Sequence, residues 1–416
     1  MQSYNKFKSA TRAWASALLL TCALPAQAFV NTVDTTTDAV DADLNDGVCA
    51  TTAGTCSLRA AIQQANAWPG ADFIVLPAGT YTLSIPGRGE DAATTGDLDV
   101  TDSLTLSGAG PNLTIIDANG IDRVFDVIGN NTRFEIIGVS IIHGAAAAQG
   151  SPADNGVGGG IRSQSQLILR NSAVNNNSAS PSGLSYAGGG IYHSLPNVGV
   201  TTLQLDHVTV DHNTVNSTFA VNGGGIAVLN SGVRIERSTI SNNTIESSAL
   251  PAQGGGSYGG GIAAGDGSLD LIDSTVSGNS AGFFGGGLST FGAGPGSIMN
   301  IQGSTISGNT AYRGGGIYDD GSISRTLTIV NSTISSNSTQ IPTGSGFTAP
   351  GEGGGLFASR PTSLINVTIA DNKAAGGGGA IWIDPQGTSQ NQGRAQLLNT
   401  IVQGAAADGG TCGGLV

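Results

Sequence analysis

The sequence predicts a single-stranded, right-handed parallel β-helix with a short capping helix at its N-terminal end. Three observations carry this. The first is composition: the 416 residues include 66 glycines, with 11% charged and 5% aromatic residues. So much glycine and so little Lys and Glu argue against stacked helical repeats. Val, Ile and Leu still recur in regular short runs, which argues against disorder.

The second observation is a recurring hexapeptide. Ser238–Asn243, Ser274–Asn279, Ser304–Asn309 and Ser332–Asn337 are near copies, and weaker ones end at Asn177, Asn213 and Asn372. The closing asparagines Asn177, Asn213, Asn243, Asn279, Asn309, Asn337 and Asn372 lie 36, 30, 36, 30, 28 and 35 residues apart. A period in this range means stacked units.

The third is a glycine triplet followed by an aliphatic residue, as in Gly223-Gly224-Gly225-Ile226 and Gly285-Gly286-Gly287-Leu288. Alternating runs such as Leu203-Gln204-Leu205 complete each unit. Three short strands per period, with apolar residues inward and Thr, Ser and Asp outward, describe one coil. The inward asparagines are expected to form a ladder that satisfies the buried bend between two strands. The glycines are expected to allow positive φ and close backbone approach there. Loops between the Asn and the triplet vary in length and absorb insertions, near 178–187, 244–258 and 338–352.

The chain ends frame this body. Residues 1–28 read as a secretory signal: Lys6, Lys8 and Arg12 precede an apolar run from Ala15 to Leu24, and Ala26-Gln27-Ala28 is a small-x-small cleavage site. Residues 29–70 read as an N-terminal cap and 71–416 as the coils. Within the cap, Leu58, Ala61, Ile62 and Ala65 share one helical face, and Trp68-Pro69-Gly70 stops the helix. No C-terminal cap is legible, so the natural chain is expected to have continued or been shortened.

Formal net charge is −13, and loss of a leader with three positive and no negative charges makes it −16. That argues against nucleic acid and anionic membranes as partners. It also argues, less strongly, against polyanionic substrates unless calcium bridges the charges. Cys49 and Cys56, close together in an exported chain, are expected to form a disulfide. Cys412 is then left without an assigned partner.

Two stretches carry a family likeness. Asp46–Cys49 followed by Cys56-Ser57-Leu58-Arg59-Ala60-Ala61-Ile62 resembles the Cys-Ser-Leu-Arg-Glu-Ala N-terminal motif of secreted bacterial proteins, and departs from it at Ala60. The triplets with their x-x-x-Asn hexapeptides resemble chlamydial polymorphic outer membrane protein repeats. That resemblance implies the pectin-lyase-like right-handed β-helix class and a bacterial surface-exposed, adhesin-like or extracellular setting.

Related folds host pectate lyases and polygalacturonases, so catalysis needs weighing. Such chemistry requires paired carboxylates or a calcium-binding acidic cluster beside a basic residue. Asp319 and Asp320 are the only catalytic candidates, and solvated loop residues are the plainer reading of them. His207 and His212, near Asp206 and Asp211, are read as exposed polar residues rather than metal ligands. Asp41-Ala42-Asp43-Leu44-Asn45-Asp46-Gly47 imitates a calcium loop, but its glycine comes one position late and no Glu closes it. It is read as an acidic turn, with structural calcium as the alternative; no other cofactor is implied. The glycine triplets lack the Lys of a phosphate loop. The expected function is a non-catalytic exported rod whose loops contact glycans or cell surfaces. The alternatives are a polysaccharide lyase or glycoside hydrolase, or a passenger whose anchor follows residue 416.

Overall fold

A computed structural model of the chain describes residues 28–129, 132–148, 155–183, 185–195, 201–247, 256–292, 298–321, 326–341, 350–384, 394–404 and 410–414. The signal segment thus lies outside the described residues, apart from Ala28. The chain is a parallel β-helix. Sheet A has 12 strands, from Val30–Thr32 to Ala395–Leu398, and sheets B and C have 11 each among the described residues. Sheet B runs from Gly79–Thr82 to Ile401–Gly404 and sheet C from Leu98–Val100 to Cys412–Gly414. A short sheet D joins Ala145–Ala147, Ser178–Ser180, Thr214–Ser217 and Thr244–Ser247.

One coil shows the path. Ile191–Ser194 lies in sheet C, Thr201–Asp206 in A, Thr209–Asp211 in B and Thr214–Ser217 in D, before Ile226–Leu229 returns to C one layer on. Every strand pairing among the described residues is parallel, and the register holds except for shifts between Thr201 and Leu203 and between Ile369 and Asn372, so inward positions become ladders of like residues. In sheet B the ladder runs Val174, Val210, Ile240, Val276, Ile306, Ile334 and Ile369. In sheet C it runs Phe125, Ile161, Ile191, Ile226, Ile262, Leu288, Ile317, Leu356 and Ile381. These residues are buried and belong to one continuous core. Burying each such side chain contributes about 1.5–3 kcal/mol, and the sum offsets the ordering of many short strands.

The bends account for the hexapeptide. Its fifth residue takes the left-handed conformation, for example φ 52° at Asn242, 66° at Gly278 and 56° at Ser336. The next residue, Asn, then turns inward. Asn279 is typical: its Oδ1 accepts from the N–H and Nδ2 of Asn243, both at 3.0 Å, and its Nδ2 donates to the Ile240 carbonyl at 2.9 Å and to Asn309 Oδ1 at 3.0 Å. The same bonds link all seven asparagines from Asn177 to Asn372.

The sequence reading did not anticipate a second ladder made by the first residue of the hexapeptide. Ser238, Ser274, Ser304 and Ser332 each accept a backbone N–H from the preceding coil at 3.0–3.1 Å. They close the bend between sheets A and B. The signal was present, because Ser holds that position in the four near-identical copies.

Each glycine of a triplet has its own reason. Gly285 has φ 66°, a region that favours glycine. A Cβ on Gly286 would lie 2.4 Å from the Thr310 carbonyl oxygen, and one on Gly287 would lie 3.0 Å from the Asn309 carboxamide. The triplet lets one coil lie against the next beside the ladder.

The cap is a buried polar knot beneath an amphipathic helix. Ser57 is the N-cap of Leu58–Ala67, accepting from the Ala60 N–H at 3.0 Å and donating to the Ala39 carbonyl at 2.5 Å. Arg59 is fully buried. It pairs with Asp38 at 2.7 Å and donates to the carbonyls of Ala93, Gly96 and Asp97 at 2.8–3.1 Å. Ala60, where Glu is usual in the resembling motif, is also fully buried. Cys49 and Cys56 form a disulfide beside this helix. Cys412 is exposed and unbridged.

One interior side chain makes stability depend on pH. His193 follows Val127 and Ser163 in the sheet C stack and precedes Val228. It is fully buried, with Nε2 2.9 Å from the Thr202 hydroxyl. Burial pushes its pKa down from 6.5 to about 3. Between those values the unfolded chain binds a proton that the folded chain refuses. Stability is therefore complete above pH 6.5 and falls as pH drops toward 3, by up to about 1.4 kcal/mol per pH unit. Urea melts at pH 7, 6 and 5 should show a steeper loss for the native protein than for His193→Val. Equal slopes would contradict this.

Candidate functional site on the outer face of sheet C

The outward position of sheet C changes character along the rod. In register it carries Asp99, Asp126, Arg162, Tyr192, Ala227, Ala263, Ser289, Tyr318, Phe357 and Trp382. A second ladder runs beside it, built from residues one or two places ahead of the triplets: Tyr186, Asn222, Tyr258, Phe284 and Arg313.

The two ladders meet in an aromatic cluster. Tyr258 lies 4.7 Å from Phe284 and 4.8 Å from Phe291, ring centre to ring centre. Phe284 lies 4.6 Å from Tyr318, Tyr318 stacks on Phe357 at 5.0 Å, and Tyr186 stacks on Phe291 at 5.4 Å. The Arg313 guanidinium sits 5.7 Å from the Phe357 ring and pairs with Glu352 at 2.6 Å. Tyr318 and Phe357 are buried, whereas Tyr186, Tyr258, Phe284 and Phe291 are half-buried and keep part of their surface in solvent. Burial pushes the phenols of Tyr186, Tyr258 and Tyr318 upward, helped by Asp266 beside Tyr186 and Asp320 beside the other two. They are hydroxyl donors at neutral pH.

Asp319 and Asp320 belong to the strand Ile317–Gly321 and therefore point to opposite sides. Asp320 is exposed and accepts from the Tyr318 hydroxyl at 3.2 Å. Asp319 faces the interior, fully buried, paired with Arg360 and bonded to the Thr290 hydroxyl. This corrects the solvated reading of Asp319 and the loop reading of both, while Asp320 does face solvent. It also removes the pair as a catalytic unit, because the two carboxylates cannot converge on one substrate.

The other sequence-derived candidates are bend and turn residues. His207 and His212 have φ 55° and 52°, and their Nδ1 atoms meet the adjacent Asp206 and Asp211. Both are exposed on successive bends. They occupy positions that most other coils fill with Asn, Asp or Gly, residues that tolerate this conformation, with Arg237 and Ser336 as exceptions. In the turn from Asp41 to Gly47, Asp41, Asp43 and Asp46 accept backbone N–H groups of Asp43, Asn45 and Val48 at 2.8–3.0 Å. These carboxylates are aimed at their own loop.

Among the described residues, a group of carboxylates spaced to hold a metal ion is Asp91, Asp99 and Asp126, at the N-terminal end of the sheet C face. Arg162 holds Asp126, and Asp97 pairs with Arg123 at 3.0 Å. Burial and the nearby Asp97 push Asp99 up to about 9. Oxygen donors of this kind suit a hard cation such as calcium.

The sequence reading missed the aromatic cluster because its members are far apart and recur only through register. A positional signal marked Tyr258 and Phe284, just before their triplets, and Tyr318 and Phe357, just after the aliphatic that follows one, but not Tyr186 or Phe291.

The Chlamydia polymorphic membrane protein (Chlamydia_PMP) repeat matches residues 366–384. That segment spans a bend at Asn366, the sheet B strand Thr368–Asn372 with its ladder Asn, the last glycine pair and the sheet C strand Ile381–Ile383. No curated protein matches the chain. Among solved structures, it is similar to the A-module of the Azotobacter vinelandii mannuronan C-5 epimerase AlgE6. The identity is 14% and the TM-score 0.33, over 86% of this chain and 94% of that one. The AlgE4 A-module from the same organism gives 12% and 0.34, over 86% and 95%. Among the described residues, no helix is long and apolar enough to cross a membrane.

Proposed function

We propose that this protein is an exported, non-catalytic bacterial rod, at the cell surface or outside the cell, that binds glycans along the outer face of sheet C. The half-exposed aromatic cluster of Tyr186, Tyr258, Phe284 and Phe291 supports this reading. Sugar rings have apolar C–H faces that stack on aromatic rings, and their hydroxyls need polar partners at the edge. Asp266, Asp320 and Arg313 supply such groups beside the rings. The repeat match at residues 366–384 supports the surface setting.

The test is retention on a panel of neutral and acidic polysaccharides, with and without calcium, while new chain ends are followed. Retention on at least one polysaccharide without new ends is expected. New chain ends that vanish in Asp320→Asn would instead make this a lyase or hydrolase. No retention on any polysaccharide would leave the proposal without support.

A further inference from the structure

The first strand of the helix begins with an unusual contact. The Phe29 N–H donates to Asp72 Oδ1 at 2.7 Å, and the Phe29 carbonyl accepts from the Phe73 N–H at 2.8 Å. The Phe29 ring is buried in the core. Asp72 is 2% exposed, and its Oδ2 has no hydrogen-bond partner. No cation pairs with it among the described residues. Burial pushes Asp72 up to about 6 despite the Phe29 bond, and the charge of Asp102 adds to the rise.

A backbone amide is a poor match for such a carboxylate. It offers one N–H and no charge, while one buried oxygen goes unmet. An α-ammonium at the same atom would supply three donors and a full positive charge. Phe29 directly follows Ala26-Gln27-Ala28, the small-x-small pattern at which a leader is expected to be cut. Ala28 is exposed and Phe29 buried, so the boundary between outside and core falls at this peptide bond.

We infer that cleavage between Ala28 and Phe29 creates an N-terminal ammonium that pairs with Asp72 and locks the first strand onto the cap. Hydrolysis places water across the Ala28–Phe29 amide: Ala28 leaves as a carboxylate and Phe29 keeps the nitrogen as the ammonium. The cap is then completed by processing, and the unprocessed chain carries a weaker first coil. A charged pair at this site is shielded from water, so it contributes more than an exposed one.

The experiment is a four-way comparison after the exported protein's mass and N-terminal residue are determined. Protein beginning at Phe29 is melted beside protein carrying one extra glycine before Phe29, and both forms are melted again with the substitution Asp72→Asn. The exported protein should begin at Phe29. With Asp72 intact, the free Phe29 form should melt several degrees above the extended form. In the Asp72→Asn background, that gap should close. An exported protein that begins elsewhere, or a gap absent with Asp72 intact, or one unchanged by Asp72→Asn, would overturn the inference. None of these outcomes depends on glycan binding.

Discussion

Asn279→Ala is expected to cost about 4 kcal/mol of folding stability, far more than its loss of volume implies. The substitution takes a bond from four partners in the dry interior: the N–H and the Nδ2 of Asn243, the carbonyl of Ile240 and the Oδ1 of Asn309. A buried polar group left unsatisfied costs about 1–3 kcal/mol, so the sum is large even if water enters. In a stacked array the damage also weakens both neighbouring interfaces. Asn372 provides the control, because its Oδ1 accepts from Asn337 and its Nδ2 donates to Ile334. No ladder asparagine follows it, so Asn372→Ala should cost less. Denaturant melts of the two variants check this. An Asn279→Ala loss below about 1 kcal/mol would mean the ladder is decorative.

Arg360→Ala is expected to cost about 3–5 kcal/mol, the range for breaking one side of a buried ion pair. Both Arg360 and Asp319 are fully buried, and Arg360 also donates to the Thr290 hydroxyl at 3.2 Å. The cost comes from Asp319, left buried without its cation between Thr290 and Ala358. Replacing both partners with apolar residues, Asp319→Ala with Arg360→Met, should restore most of the loss, because paired desolvation and attraction nearly cancel. A double variant no better than Arg360→Ala would contradict this account.

How much was legible in the sequence depends on whether a signal repeats along the chain or only across it. The coil, the ladder asparagines and the triplets recur along the chain, and register then stacks them in space. Even within those motifs, the role of Ser238 and its counterparts was hidden, since a hydroxyl at a bend shows its acceptor only in three dimensions. Asp319 was obscured because Arg360, 41 residues later, completes its environment. The aromatic face was harder still. Tyr186, Tyr258, Phe291 and Tyr318 come from different coils and share no motif. Only the stacking of successive coils, in sheet C and in the ladder ahead of the triplets, brings them together. His207 and His212 resembled ligands because a bend that tolerates positive φ also admits His.

The measurement closest to the central claim compares native protein, Tyr258→Ala and Phe291→Ala for retention on the polysaccharide that the native protein binds. Both rings are half-buried, so melting curves can confirm that each variant remains folded. Removing a stacking contact worth about 1.4 kcal/mol weakens binding about tenfold, and loss of that order is predicted in both variants. Undiminished retention by two folded variants would show that the outer face of sheet C is not where glycan binds.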